Sequence, residues 1–592
     1  MNIITALDKD YNTLKQIGEN GQVEYSWSFD YEKLIVQFFF QLIRTKNMNS
    51  LEKKLNYLLI NLSWEKDKKN LKILYKLIAQ TRDIINGKGE LDLTWMQLSV
   101  WYKYYPELAY NAFYYIVKDT HKDLENHQYG SWKDIKYFFY YLKMNSIQGE
   151  NHPLINRILL NIVIPELKKE ELLYMANNKI GLIGRWIPRE KSSNKFNWIF
   201  KKIASMMYPS FCVEPKNGWS NREQMLRGQL KQRIYLKKLL VKLSGEDGND
   251  TPQVKMCNKR WKELNFNKMT SITLRNQKNA ILNKTKKGDI RYNTIDRISC
   301  SKNYASFVKE SVLDKNKIKG KRLDVGQLAK DGYNYDSHID DKYNTLRNTI
   351  NLQWKSNSEN NKGLENLPIV AMCDTSGSME QDECVPLNNS IGLSIRISEI
   401  CHPAFRDRIL TFDSVPKWIR LDDCKDFVEK AKKVKESSWG CNTDFHFAID
   451  RIIETLKKNE IEPKAVKNLI LAVFSDMQFD SREHNISIFD CAYEIIKDKF
   501  YQAGITTKWK TPYEAPHILF WNLRKTSGFP STVYQKNITF LSGFNSSLLN
   551  IFVNKGIKEL RKVTPFDMLT NMLNNRRYNP MDENIYNIIS IV

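Results

Sequence analysis

The stretch Leu367-Pro368-Ile369-Val370-Ala371-Met372-Cys373-Asp374-Thr375-Ser376-Gly377-Ser378-Met379 decides how the C-terminal part of this chain is read. It opens as a short apolar run and turns at once to Asp, Thr, Ser and Gly. An apolar run bounded by turn residues reads as a strand buried on both faces. A helix, Leu387–Ile400, follows. Arg408–Phe412 and Lys417–Leu421 read as two strands joined through Asp413-Ser414-Val415-Pro416, and helices Cys424–Lys435 and Phe445–Lys458 come next. Leu469–Phe474 is another buried strand, ending in Ser475-Asp476; helix Ile488–Ala503 and strands Ile518–Trp521 and Ile538–Leu541 complete the set. Buried strands alternating with helices predict a doubly wound α/β parallel sheet over residues 365–592.

In such a sheet, ligands bind outside the carboxyl ends of the strands. Asp374, Ser376 and Ser378 stand at that end of the first strand, and alternate residues of an extended loop point the same way. One carboxylate and two hydroxyls therefore converge, a hard-oxygen set suited to Mg²⁺ or Mn²⁺ rather than to thiolate zinc. Thr443, on a loop entering a helix, and Asp476, at the end of a buried strand, lie where such a site needs further ligands. The pattern D-x-S-x-S, then T, then D, resembles the metal-ion-dependent adhesion site of von Willebrand factor A-type (vWA) domains. All five positions match: Asp374, Ser376, Ser378, Thr443 and Asp476. The resemblance implies that the aspartates supply charge, in part through water, that the hydroxyls bind directly, and that an open coordination position accepts an acidic group from a partner protein.

Catalytic alternatives fit worse. An aspartic-protease loop needs Gly where this chain has Ser376, and no G-x-S-x-G elbow is present. Asn86-Gly87-Lys88-Gly89-Glu90 lacks the frame of a phosphate loop and reads as a helix-joining turn. His402, His446, His484 and His517 are dispersed. The chain is read as a non-enzyme.

Upstream, apolar residues recur at three- and four-residue steps in Tyr31–Lys46, Leu51–Leu62, Lys68–Ile85, Leu93–Tyr104, Glu107–Lys118, Trp132–Lys143, Leu154–Leu173, Lys195–Met207, Arg222–Leu243 and Ala305–Val312. Helices of this length joined by short turns predict an all-α, HEAT-like array over residues 1–312. Residues 313–364, basic and then polar, read as a linker. A multidomain chain is what 592 residues imply.

The net charge of +24 is unevenly placed. Residues 151–350 hold 40 Lys and Arg against 19 Asp and Glu, a net of +21, while the flanking parts carry +2 and +1. A charge excess confined to one third of a chain reads as a surface for a polyanion. Nine scattered cysteines with no C-x-x-C pair, and no secretion signal, predict free thiols in a reducing, cytoplasmic setting. The most apolar run, Leu34–Ile43, is about half of what a membrane span needs, so a soluble protein with no membrane partner is expected. A monomer is compatible with these features.

A helical array before a vWA-like domain is similar to the Ro autoantigen (TROVE-module) architecture, in which a helical ring binds RNA. Arg82-Asp83-Ile84, Gly87-Lys88-Gly89-Glu90, Tyr129-Gly130-Ser131-Trp132-Lys133-Asp134 and Gly184-Arg185-Trp186-Ile187-Pro188-Arg189-Glu190 resemble, more closely, a plant and large-DNA-virus family defined as a domain of unknown function. The abundance of Lys, Asn and Ile suits a viral member, whose place would be host cytoplasm or virion. These resemblances, with the charge, imply RNA binding through Arg185, Arg189, Arg222, Arg227, Lys231, Arg233, Lys237, Lys238 and Lys242, with Trp219 and Trp261 stacking bases. The competing reading is a vWA-mediated protein-interaction scaffold or virion component that binds no nucleic acid.

Overall fold

The computed structural model describes residues 15–118, 127–212, 220–244, 250–314, 318–341, 343–361, 363–365, 367–411, 416–437, 445–479, 492–552, 559–582 and 585. The N-terminal region is helical after a short antiparallel hairpin, β1 (Lys15–Ile17) and β2 (Val23–Tyr25). Its helices begin where the sequence supplies caps. The Asp30 carboxylate accepts from Lys33 N before Tyr31–Gln41, that of Asp67 accepts from Asn70 N before Lys68–Arg82, and Pro106 opens Pro106–Val117.

The C-terminal region carries a six-stranded sheet in the order β5-β4-β3-β6-β7-β8, formed by β3 (Ile369–Cys373), β4 (Arg408–Thr411), β5 (Trp418–Arg420), β6 (Ile470–Ser475), β7 (His517–Asn522) and β8 (Ile538–Ser542). Five strands run parallel, but β5 pairs antiparallel with β4, so the sheet is mixed rather than wholly parallel. Chain length decides this: only six residues separate β4 from β5, and a parallel return needs a crossover of about a dozen or more.

Residues 313–364 are not a linker. They contain the helices Val325–Tyr333 and Thr345–Ser358. Val325, Leu328 and Ala329 are buried against helix Gln381–Ile400, and Trp354 stacks on Phe427 at 3.8 Å between ring centroids.

The two regions share one apolar core, whose buried side chains run without a break from Tyr25 through the helices to the sheet and on to Ile585. A smaller core lies under Ser271–Ile281 and Ile295–Leu313. Polar stitches cross the same boundary. Buried Lys88 donates to the carbonyls of Phe39 (2.6 Å) and Leu42 (2.9 Å) and to Ser542 Oγ (2.6 Å) at the end of β8. Gln41 Nε2 donates to Gly528 O at 3.1 Å, and Tyr129 Oη to Arg577 O at 2.7 Å. Asp83 holds Arg577 through two 2.6 Å bonds, while Arg82 grips Asp134 through two of 2.9 Å. The Arg82-Asp83, Gly87–Glu90 and Tyr129–Asp134 motifs are thus internal joints.

A fragment of residues 365–592 leaves these stitches and half the core unmade. It is expected to show no cooperative thermal transition by circular dichroism where the full chain shows one. A sharp transition in the fragment would refute the shared core.

Candidate metal centre

Strands β3 and β6 are buried along their whole length and lie side by side, paired from Ile369 with Ile470 to Cys373 with Phe474. Their carboxyl ends are therefore level, and Asp374 N donates to Phe474 O at 3.2 Å. This brings Asp374 beside Ser475 and Asp476, although about a hundred residues separate them in sequence.

Asp374 is fully buried. One of its carboxylate oxygens accepts from Ser376 N (2.9 Å) and the other from Ser475 Oγ (2.5 Å). Burial first, then the neighbouring charge of Asp476, pushes the Asp374 carboxyl well above the usual carboxylate range. The pair has one protein counter-charge, the Arg524 guanidinium on Asp476, and Asp374 has no ion-pair partner among the described residues. Ser376 is buried, Ser378 half-buried, and their hydroxyl oxygens stand 3.1 Å apart. Adjacent ligands of an octahedral Mg²⁺ at roughly 2.1 Å lie about 3 Å from each other, so the hydroxyl pair fits two neighbouring coordination positions. Among the described residues no three His, Cys, Asp or Glu side chains converge, and the donor set here is two carboxylates with hydroxyls. Such donors fit a hard divalent cation, with Ser376 and Ser378 direct and Asp374 and Asp476 available through water. Thr443 lies outside the described residues.

Three residues that sequence reasoning missed complete the centre. Ser475 orients Asp374, and its Oγ also accepts from Met477 N at 3.0 Å. Arg524, two residues past β7, donates from Nε to Asp476 Oδ2 at 2.8 Å. Glu19, in the turn of the β1–β2 hairpin, takes the other side of that guanidinium at 2.6 Å. A position just beyond the carboxyl end of a strand was the available signal for Arg524. Glu19 gave none.

The loop after Ser378 is strained. Asp382, Glu383 and Cys384 take left-handed φ values of 50°, 63° and 62° before regular helix resumes near Pro386. Non-glycine residues held there cost about 1–3 kcal/mol each and cluster at ligand sites.

Residues 368–584 match a family model described as Domain of unknown function (DUF7788). The match spans the whole sheet and every described ligand of the centre. No curated protein matches the chain.

The basic residues divide into two groups. Arg222, Arg227, Lys231, Lys237, Lys238 and Lys242 are exposed along helix Asn221–Ser244. The others are drawn into the protein. Arg185 donates to Gln253 Oε1 at 2.7 Å, Arg189 to Ser244 Oγ and to Leu240 O, and Arg233 pairs with Glu190 at 3.2 Å. Desolvation lowers the pKa of both Arg185 and Arg189. Trp261 has one ring face covered by the Arg297 guanidinium, 3.5 Å from its centroid. Trp219 lies outside the described residues. No described helix is long and apolar enough to cross a membrane.

Proposed function

We propose that this protein is a non-enzymatic binding protein. Its C-terminal region is a vWA-type domain that uses Mg²⁺ or Mn²⁺ to capture an acidic group of a partner, and its basic helical region binds RNA in a Ro-like arrangement. The observation that carries the reading is the meeting of Asp374, Ser376, Ser378 and Asp476 at the carboxyl ends of β3 and β6. Strand order reverses between these two strands, and it is there that open α/β sheets bind ligands. Bound there, the cation would supply a positive charge with an open position toward solvent at Gly377 and Ser378. The test is calorimetric titration of the full chain with MnCl₂ or MgCl₂, and a chain that takes up neither ion is not a metal-dependent binder.

RNA binding is supported by six exposed cations on one helix. If they contact phosphates, Lys231→Glu with Lys238→Glu should weaken single-stranded RNA of unrelated sequences alike, and lower the slope of log affinity against log salt by roughly 0.7 per lost contact. Filter binding across a salt series measures both. An unchanged slope removes this helix from the interface.

One observation favours the scaffold reading. Leu226, Leu230, Ile234 and Val241 are between 41% and 58% exposed on that helix, and phosphates offer apolar side chains nothing. Unchanged RNA affinity would move the assignment to a protein partner.

A further inference from the structure

The hairpin Lys15–Tyr25 lies against the segments that follow β6 and β7. Tyr25 and Phe529 exchange backbone hydrogen bonds of 2.9 and 3.0 Å. Gln478 is the second anchor. Its Nε2 donates to Glu24 Oε2 (3.1 Å), its Oε1 accepts from Glu19 N (2.6 Å), and its carbonyl accepts from Asn20 Nδ2 (2.9 Å). Gln478 N in turn donates to Asp476 Oδ1 at 3.0 Å. The approach is close: a Cβ on Gly528 would sit 1.7 Å from the Glu24 carboxyl carbon. Arg524 is the third anchor, clamped between buried Asp476 and half-exposed Glu19, with a longer 3.4 Å bond to Gln381 Oε1. The hairpin thus touches both oxygens of Asp476, one through Gln478 and one through Arg524.

We propose that this hairpin is a built-in cap on the metal centre, and that a divalent cation releases it. The inference rests on the metal reading above and adds a regulation to it. Asp476 Oδ2 is held by a guanidinium. A cation drawn to Asp374 and Asp476 meets Arg524 as a like charge competing for the same carboxylate. Occupancy by the metal pushes Arg524 off Asp476 and loosens the Glu19 anchor. Once the hairpin lifts, Arg524 is released from Glu19 and presents its guanidinium beside the centre to an acidic side chain of a partner, which takes the place of the Glu19 carboxylate. Metal and acidic ligand then bind in order, the first uncovering the seat of the second. Because coupling is reciprocal, removing the charge of Arg524 must tighten metal binding as much as Arg524 opposed it.

The test uses the full-length protein, MnCl₂ as the probe, calorimetry for affinity and backbone hydrogen exchange for the hairpin. Mn²⁺ is expected to speed exchange at residues 16–25 in the wild type. Arg524→Gln is expected to bind Mn²⁺ about 5- to 150-fold more tightly, the usual range of coupling between sites. Arg524 is nearly buried and its removal can cost folding, so Glu19→Gln, at a half-exposed position, provides the second arm. It should exchange fast without metal and gain nothing from Mn²⁺. Mn²⁺ binding with unchanged hairpin exchange, or a Glu19→Gln hairpin as slow as wild type, overturns the cap while leaving the metal centre standing. No Mn²⁺ binding in either the wild type or Arg524→Gln overturns the metal reading, and the release with it.

Discussion

Asp374→Ala is expected to abolish Mg²⁺ and Mn²⁺ binding by the full chain while leaving it folded. Asp374 provides one of two carboxylates at the centre, and the hydroxyls of Ser376 and Ser378 carry no charge to hold a cation alone. Stability is protected because the fold already resists the charge on Asp374: burial and Asp476 both disfavour its ionised form. Removing it relieves that repulsion and leaves Ser475 Oγ and Ser376 N without an acceptor, a cost of roughly 1–3 kcal/mol for each buried group so orphaned. Asp374→Asn, which keeps the shape and one acceptor, is expected to lose metal at a smaller cost in stability. Calorimetric titration, with thermal unfolding alongside, measures both. Metal affinity equal to wild type in the alanine variant would remove Asp374 from the site.

Asp83→Ala carries the largest expected loss of stability. Asp83 accepts two hydrogen bonds from Arg577, one from Tyr578 Oη at 3.2 Å, and further bonds from Ile85 N and Asn86 N. The two side chains are 0% and 6% exposed, so the variant strands a guanidinium where water cannot reach it. Breaking a buried pair from one side costs about 3–5 kcal/mol, against a total stability of about 5–15 kcal/mol for a folded domain. Asp83 precedes the Gly87–Glu90 turn and Arg577 lies near the C-terminal end, so the loss should be felt by the helical region and the sheet together. A single lowered unfolding transition is therefore expected by calorimetry, not two that separate. Arg577→Met on top of Asp83→Ala removes the stranded charge and should recover a good part of the loss. A destabilisation below about 1 kcal/mol in Asp83→Ala, or no recovery in the double variant, would show that this pair does not join the two regions.

Much of the fold was legible because it depends on neighbours in sequence. Helical periodicity places starts such as Tyr31 and Lys68 where the structure has them, although the helix expected at Ala305–Val312 begins ten residues earlier, at Ile295. The apolar runs Leu367–Cys373 and Leu469–Phe474 hold strands, Ile369–Cys373 and Ile470–Ser475, since a strand buried on both faces has no polar face to show. Asp374, Ser376 and Ser378 could be singled out for the same reason: alternation along one short loop suffices to bring their oxygens together.

The tertiary structure alone decided the rest. Arg185 and Arg189 look like phosphate-binding cations in sequence, but they turn inward and donate there to Gln253, Ser244 and the Leu240 carbonyl. Exposure is settled by packing partners 51 to 68 residues away, which composition does not encode. Residues 313–364 read as polar, yet their helices contribute Val325, Leu328 and Trp354 to the core once helices Gln381–Ile400 and Phe427–Glu436 lie against them. Glu19 and Asp476 are remote in sequence and meet on one guanidinium, that of Arg524, 505 residues from Glu19. Local patterns determined which residues form strands, helices and the loop that carries Asp374, Ser376 and Ser378. Which charges stay exposed, and which pair beside Asp476, followed only from burial: a buried ion must find a counter-ion wherever in the chain one lies.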